Sequence, residues 1–282
     1  MNPKLINGRL LSEQILTNIK TYVSNLIARP PCLAVVLVGE DPASHIYVRN
    51  KKYACAKVGF RSLEYKLSSE IDQDELIELI NQLNANDDVD GILVQLPLPK
   101  HLDSKIIINT ILPNKDVDGF HKYNVGALAV NQPNLCPCTP HGIIYMLDSL
   151  KINYHGKHAV IVGASNIVGR PMALELLNRG ATVTVCNSKT VNLAKKCREA
   201  DILVAAIGKP RYITVDYIKP QSIVIDVGIN RLSDDVLCGD VDFENVIDLV
   251  SYITPVPNGV GPMTIAMLME NTLHCYKLKN RI

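Results

Sequence analysis

The sequence has almost no net charge: 29 lysines and arginines face 28 aspartates and glutamates, leaving a formal +1. No run of basic residues forms a stripe for nucleic acid, so a polyanion binder acting through bulk charge is excluded. No apolar run approaches the ~20 residues that a membrane-spanning helix needs. The opening MNPKLINGRL lacks the long apolar core of a signal peptide, so none is expected. Eight cysteines lie scattered at 32, 55, 136, 138, 186, 197, 238 and 275, and no two form a CxxC pair. Cys136-Pro-Cys138 is too tight for a zinc knuckle, and no Cys/His pair follows it at finger spacing. The seven histidines show no HExxH spacing. No metal is therefore expected, and the thiols read as the reduced thiols of a cytoplasmic protein. Internal repeats and low-complexity tracts are also missing.

What remains is an α/β pattern. With 282 residues, 47% of them hydrophobic, the chain can bury a large core and is expected to hold two domains. Leu33 to Val38 is an unbroken apolar run, which suits a strand covered on both faces of a parallel sheet. Gly39 ends it, Asp41-Pro42 is a turn, and a helix is expected from there to about Val58. A helix over Leu10 to Ile27 precedes this unit. A strand at Arg61 to Leu67, a helix at Ile71 to Leu83, a strand at Ile92 to Leu96 and a helix at Ser104 to Ile111 follow. From Pro113 to Pro137 periodicity fails, as in a functional loop or an inter-domain connection. Thr139-Pro140 then opens a helix that runs to about Leu150, with Thr as N-cap and Pro at the first helical position.

The second half alternates more regularly. Strands are expected at His158 to Val162, Thr182 to Cys186, Ile202 to Ala206 and Ile223 to Val227, with helices at Val168 to Asn178 and Val191 to Glu199. This β-α-β-α-β order is a nucleotide-binding half-fold. A short strand near Asp248 to Thr254 and a last helix from Pro262 to about Lys277 complete the chain.

Two stretches carry candidate chemistry. Tyr47 and Lys51 are four apart on one helix face, just beyond the C-terminal end of the first strand, where ligands of open α/β sheets bind. An aromatic platform beside a proton carrier is one reading; a surface Tyr/Lys pair is the other. Gly163-Ala164-Ser165-Asn166-Ile167-Val168-Gly169 has GxGxxG spacing with Ser165 in place of the middle glycine, between a strand and a helix. Phosphates would sit on the helix N-terminus there. At the end of the next strand, Cys186-Asn187-Ser188-Lys189-Thr190 lacks the acid that binds an NAD ribose, while Asn187, Ser188 and Lys189 can serve a 2′-phosphate. NADP is therefore expected over NAD. Asp116 and Asp118 in KDVDGF compete as candidate ligands on the residues alone. Lys115 and His121 read as loop surface.

The segments VGEDPASHIYVRNK, DGILVQLPLP, PNKDVDGF, PCTPHG, IVGASNIVGRPM, GDV and ITPVPNGVGPMT run in order from residue 38 to 264. With them the chain resembles the bifunctional methylenetetrahydrofolate dehydrogenase/methenyltetrahydrofolate cyclohydrolase family, in its stand-alone bacterial-type form. The resemblance implies a two-domain α/β protein: an N-terminal catalytic domain and a Rossmann-like dinucleotide-binding domain, with an active-site cleft between them. Residues 1–138, completed by a C-terminal helix at 264–282, would bind folate, and 139–263 would bind NADP. It further implies oxidation of 5,10-methylenetetrahydrofolate to the methenyl cation with NADP, then hydrolysis to 10-formyltetrahydrofolate, by a homodimer.

By the same resemblance Lys51 is the key catalytic group. Tyr47 stacks on the folate, Gln95 orients the lysine, and Asp118, rather than Asp116, holds the pterin. Leu96, Pro97 and Pro262 join the substrate site. Thr139, Gly163, Ala164, Ser165, Ile167, Val168, Gly169, Asn187, Ser188, Lys189 and Ile229 form the cofactor site. Ala164 stands where some NADP-using relatives carry arginine, which shifts the load to the Asn187 to Lys189 turn. Asn258 replaces a common glycine in PVPNGVGPMT, and asparagine tolerates the left-handed backbone such a loop needs. A lysine acting as base near neutral pH needs its pKa brought from ~10.4 toward ~7–8, which burial and a cationic substrate would do. Competing readings are a dehydrogenase without cyclohydrolase activity and a non-catalytic nucleotide-binding regulator. The regulator would have no reason to keep Lys51, Gln95 and Asp118 together.

Overall fold

The computed structural model describes residues 4–232 and 236–281. The chain divides into two compact units. One holds Glu13–Cys138 and Ile265–Ile282; the other holds Met1–Ser12 and Thr139–Thr264.

The first unit is built on α1 (Gly8–Ser24) from Glu13 onward, β1 (Cys32–Val38), α2 (Pro42–Val58), β2 (Arg61–Leu67), α3 (Gln73–Ala85), β3 (Gly91–Val94), α4 (Ser104–Thr110) and α5 (Lys122–Ala129). Its sheet has the order β2-β1-β3, all parallel. The apolar run makes β1 the central strand, buried along its whole length. The outer strand β2 is partly exposed and carries Arg61, Glu64 and Lys66, charges that discourage further pairing. One face of α3 (Leu76, Ile80 and Leu83) packs with Val36, Ile92 and Ile107 in a single core. The start of α2 follows from local chemistry: the Asp41 carboxylate accepts the Ser44 N–H at 2.8 Å, and Pro42 takes the first turn. Gly59 ends the helix at φ 84°, a left-handed cap.

The second unit carries α6 (Cys138–Ser149), β4 (His158–Val162), α7 (Gly169–Asn178), β5 (Thr182–Cys186), α8 (Leu193–Cys197), β6 (Ile202–Ala205), β7 (Ile223–Asp226), the two-residue strands β8 (Asn230–Arg231) and β9 (Leu237–Cys238), α9 (Phe243–Val246), β10 (Tyr252–Ile253) and α10 (Val260–Asn280). The last helix continues into the first unit at Ile265. The five-stranded sheet is parallel in the order β10-β7-β6-β4-β5. Read from β5, this is the doubly wound order 2-1-3-4-5, whose direction of winding reverses between β4 and β6. Val160 and Val162 of β4, Leu203 and Ala205 of β6 and Val224 of β7 pack in its core. Among the described residues no helix is long and apolar enough to cross a membrane.

Several expectations need correction. Residues 4–12 do not belong with the first unit, because Leu5 bridges Ile253, Ile6 donates to Ile253 O at 2.9 Å and Arg9 donates to Asn258 O at 3.1 Å. The irregular stretch 113–137 contains α5, started by the His121 side chain, which accepts the Tyr123 N–H at 3.0 Å. Thr139 is not an N-cap: α6 begins at Cys138, and the Thr139 hydroxyl lies 2.9 Å from that of Thr264. Pro262 is the third residue of α10, still within the first turn, where its missing N–H costs nothing.

Candidate active site

In the first unit, Lys51 sits one turn after Tyr47 on α2 and is only 7% exposed. Its ammonium donates to Gln95 Oε1 at 3.0 Å. Gln95 follows β3 and continues its ladder, donating its own N–H to Val36 O at 2.8 Å. Its amide cannot turn over, because Nε2 donates to Leu96 O at 2.6 Å and leaves Oε1 facing the lysine. Buried lysines need such acceptors. A neutral amide orients the amine without the charge by which a carboxylate would favour its protonated form. The Tyr47 ring is 37% exposed, and burial pushes its phenol pKa up, so the ring stays neutral. Leu96 is half-buried, Pro97 exposed, and the peptide joining them is cis.

The two aspartates separate cleanly. Asp116 is 1% exposed, and its Oδ2 accepts the His121 N–H at 2.8 Å and Asn124 Nδ2 at 2.9 Å. Asp118 is half-buried and accepts no hydrogen bond among the described residues. Burial raises its pKa, while the Lys51 charge pulls the other way. Of the two, Asp116 shapes the loop and Asp118 is the carboxylate not committed to it.

That loop is held rigidly. Lys115 is no surface residue: it is buried, and its ammonium donates to Leu83 O, Asn84 O and Asn86 O at 3.1, 2.8 and 2.8 Å. It thereby satisfies carbonyls at the C-terminal end of α3. Desolvation lowers its pKa. His121, also buried, is the α5 cap. From α10, Asn271 Nδ2 donates to Val117 O at 2.8 Å and Cys136 O at 3.0 Å. Gly119 has φ 76°, and a Cβ there would meet the Cys136 and Pro137 backbone at 2.6 Å. No local signal in the sequence marks Lys115 or Asn271 as support for this loop, beyond the lysine's place beside Asp116.

In the second unit, the glycine turn leaves β4 at the reversal of strand order. Gly163 has φ 122°, and a Cβ there would drive into the Ala206 carbonyl oxygen. A Cβ on Gly169 would drive into Gly163 O. Both glycines are therefore required by backbone contact. Ser165 Oγ accepts from Val168 N at 3.2 Å and Gly169 N at 3.4 Å, so the serine closes the turn and keeps its own proton to donate. Ser165, Asn166 and Ile167 are exposed, whereas Ala164 and Val168 are half-buried. After β5, Asn187 Oδ1 accepts Lys189 N at 2.9 Å, and Thr190 Oγ1 accepts Asn187 N at 2.9 Å. This tight turn leaves Ser188 and Lys189 exposed. Ile229, after β7, is exposed, and Asn258 takes φ 77°.

Two family models account for most of the sequence. Residues 6–118 match the tetrahydrofolate dehydrogenase/cyclohydrolase catalytic domain, and residues 137–280 match the NAD(P)-binding domain of the same proteins. The chain belongs to the tetrahydrofolate dehydrogenase/cyclohydrolase family. The bifunctional protein FolD of Neisseria gonorrhoeae is 58% identical over 99% of both chains. The Campylobacter jejuni FolD crystal structure matches with a TM-score of 0.95 at 50% identity, covering 99% of each chain. The Trypanosoma brucei enzyme, complexed with NADP and an inhibitor, matches at 0.95 with 35% identity over 99% of this chain and 98% of that one. The catalytic domain thus contains Lys51, Gln95, Tyr47 and Asp118, and the NAD(P)-binding domain contains the Gly163 turn. The turn, packed backbone against backbone at Gly163 and Gly169, leads into the N-terminus of α7, where a dinucleotide pyrophosphate sits in doubly wound folds.

Proposed function

We propose that this protein oxidises 5,10-methylenetetrahydrofolate to 5,10-methenyltetrahydrofolate with NADP and then hydrolyses the methenyl bridge to 10-formyltetrahydrofolate. The observation that carries the reading is a buried lysine held by a neutral amide, with an uncommitted carboxylate in the same domain. Asp118 accepts two N–H donors from the amidine-like edge of the pterin, as a carboxylate does from an arginine fork. Tyr47 offers its face to the flat ring. NADP held at the Gly163 turn would supply the hydride acceptor, and the transfer asks this chain's residues for alignment rather than for an acid or base. Lys51 then takes a proton from the attacking water and returns one to the folate nitrogen as the carbon–nitrogen bond breaks, while Gln95 keeps its lone pair directed. Backbone N–H groups of the Gly163 turn cradle the pyrophosphate. Ser188 and Lys189 favour a 2′-phosphate, which selects NADP over NAD. The protein acts in the cytoplasm as a homodimer.

The test mixes protein, tetrahydrofolate, formaldehyde and either NADP or NAD, and follows absorbance of reduced nicotinamide and of methenylfolate. Reduced NADP without lasting methenyl accumulation is the expected result. Methenyl accumulation without hydrolysis would mean a monofunctional dehydrogenase, and no signal with either nucleotide would mean a non-catalytic regulator.

A further inference from the structure

Outside the glycine turn, the NAD(P)-binding domain buries a pair of linked carboxylates, Asp226 and Asp240, that neither proposed reaction uses. Asp240, fully buried, lies just after β9. Its Oδ2 accepts Ile207 N at 2.7 Å and Gly208 N at 3.0 Å. Its Oδ1 accepts Lys209 N at 2.9 Å and Asn230 Nδ2 at 2.9 Å. Three successive amides converge on one carboxylate, the geometry of a backbone anion nest. The second carboxylate, Asp226 at the end of β7, secures the first: it accepts Asp240 N at 2.8 Å, Val241 N at 2.9 Å and Gly228 N at 3.0 Å. Gly228 and Gly239 are small because these carboxylates occupy the space a Cβ would need.

The gathered segment has a particular place. Residues 206–209 leave β6, the strand on the far side of the reversal point from the glycine turn. Ala206 N donates to Val162 O at 2.8 Å, and Ala206 O lies against Gly163 where a side chain would begin. The Gly163 turn is therefore registered against Ala206, and Ala206 is carried by the segment that Asp240 holds. Burying a carboxylate is costly and needs full compensation, so a staple for stability alone could be apolar. Oriented amides are what an acidic staple adds.

We propose that Asp240 is a positioning residue for the dinucleotide: by holding the amides of Ile207, Gly208 and Lys209 it fixes the wall that sets the Gly163 turn. The inference rests on the reading that this domain binds NADP. In Asp240→Asn the side chain keeps its shape, but one acceptor oxygen becomes an N–H donor facing other donors. Asn230→Ala removes a single donor from Oδ1 and is the milder variant.

The full-length protein and both variants are compared by calorimetric titration with NADP in the absence of folate, by KM and kcat of the dehydrogenase, and by cyclohydrolase rate on supplied methenyltetrahydrofolate. Asp240→Asn is expected to raise the NADP dissociation constant and KM by roughly ten-fold. Its kcat at saturating NADP and its cyclohydrolase rate should stay within about two-fold. Asn230→Ala should shift affinity in the same direction by about three-fold, and it decides the matter if Asp240→Asn does not fold. Unchanged NADP affinity in the folded variants overturns the inference and leaves Asp240 as a structural staple. Wild-type protein that binds neither NADP nor NAD overturns the functional reading, and the inference with it.

Discussion

The two parallel sheets share a plan and use it differently. In each, a central strand lies between its successor on one side and a later strand on the other: β1 between β2 and β3, β4 between β5 and β6. Such a reversal opens a crevice at the carboxyl ends of the strands. The catalytic domain furnishes its opening with side chains: Lys51 on the helix after β1 and Gln95 just after β3. The NAD(P)-binding domain furnishes its opening with backbone, the Gly163 turn after β4, registered against Ala206 after β6. On the proposed function the difference follows the chemistry. A proton must be carried by a group that can gain and lose one, whereas a pyrophosphate needs only fixed N–H dipoles.

If the division of labour holds, each site can be disabled without the other. The largest effect is expected from Lys51→Met, which removes the proton carrier and should lower cyclohydrolase turnover by ~10²–10⁴-fold, measured as loss of methenylfolate absorbance. Undiminished hydrolysis in this variant would end the assignment. Gly163→Ala attacks the other side. At φ 122° with the Ala206 carbonyl in the way, the turn must shift, and a displacement of about 1 Å costs on the order of 10²-fold. Dehydrogenase activity should fall that far while hydrolysis of supplied methenyltetrahydrofolate persists; loss of both activities together would break the comparison. Asp118→Asn should raise the folate KM by about ten-fold in both reactions, since one acceptor of the paired bond becomes a donor. Asp116→Asn should instead act through stability, because its bonds are internal.

The smallest effect concerns pH. Burial pushes the Asp226 carboxyl up to about 7, well above an ordinary aspartate. The folded state thus holds a proton that the unfolded chain releases near ~4. The resulting stabilisation is present below that value and disappears as pH rises through about 7. Denaturant midpoints should therefore fall between pH 5 and 8 more steeply in wild type than in Asp226→Asn. An equal slope in the two proteins would remove Asp226 as the cause.

Features carried by local sequence were legible. The apolar run of β1, the Asp41-Pro42 helix start, the left-handed Asn258 and the glycine spacing each announce their geometry within a few residues. The parts that escaped depend on distant partners. Lys115 reads as a surface charge because the carbonyls that bury it lie about thirty residues earlier. Residues 4–12 lie with β10, more than two hundred residues later. The helix α5 contains Asn124 and Gly126, poor helix formers, and its order comes from the His121 cap and from Asn124 bonding Pro113 O and Asp116. Asp240 is legible only as part of the GDV segment, since nothing near it in the chain shows which amides it collects.

Asn271 has one more consequence. Its amide ties down Val117 and Cys136, on either side of the Asp118 loop, from a helix that ends at Asn280. On the ribosome, synthesis proceeds from the N-terminus at roughly 5–20 residues per second, and domains assemble as units when their chain is available. The catalytic domain, although most of it precedes the other in the chain, lacks this clasp until Asn271 has emerged. The nucleotide-binding domain, complete by Thr264, is the first that can close, and the loop that carries Asp118 acquires its shape later.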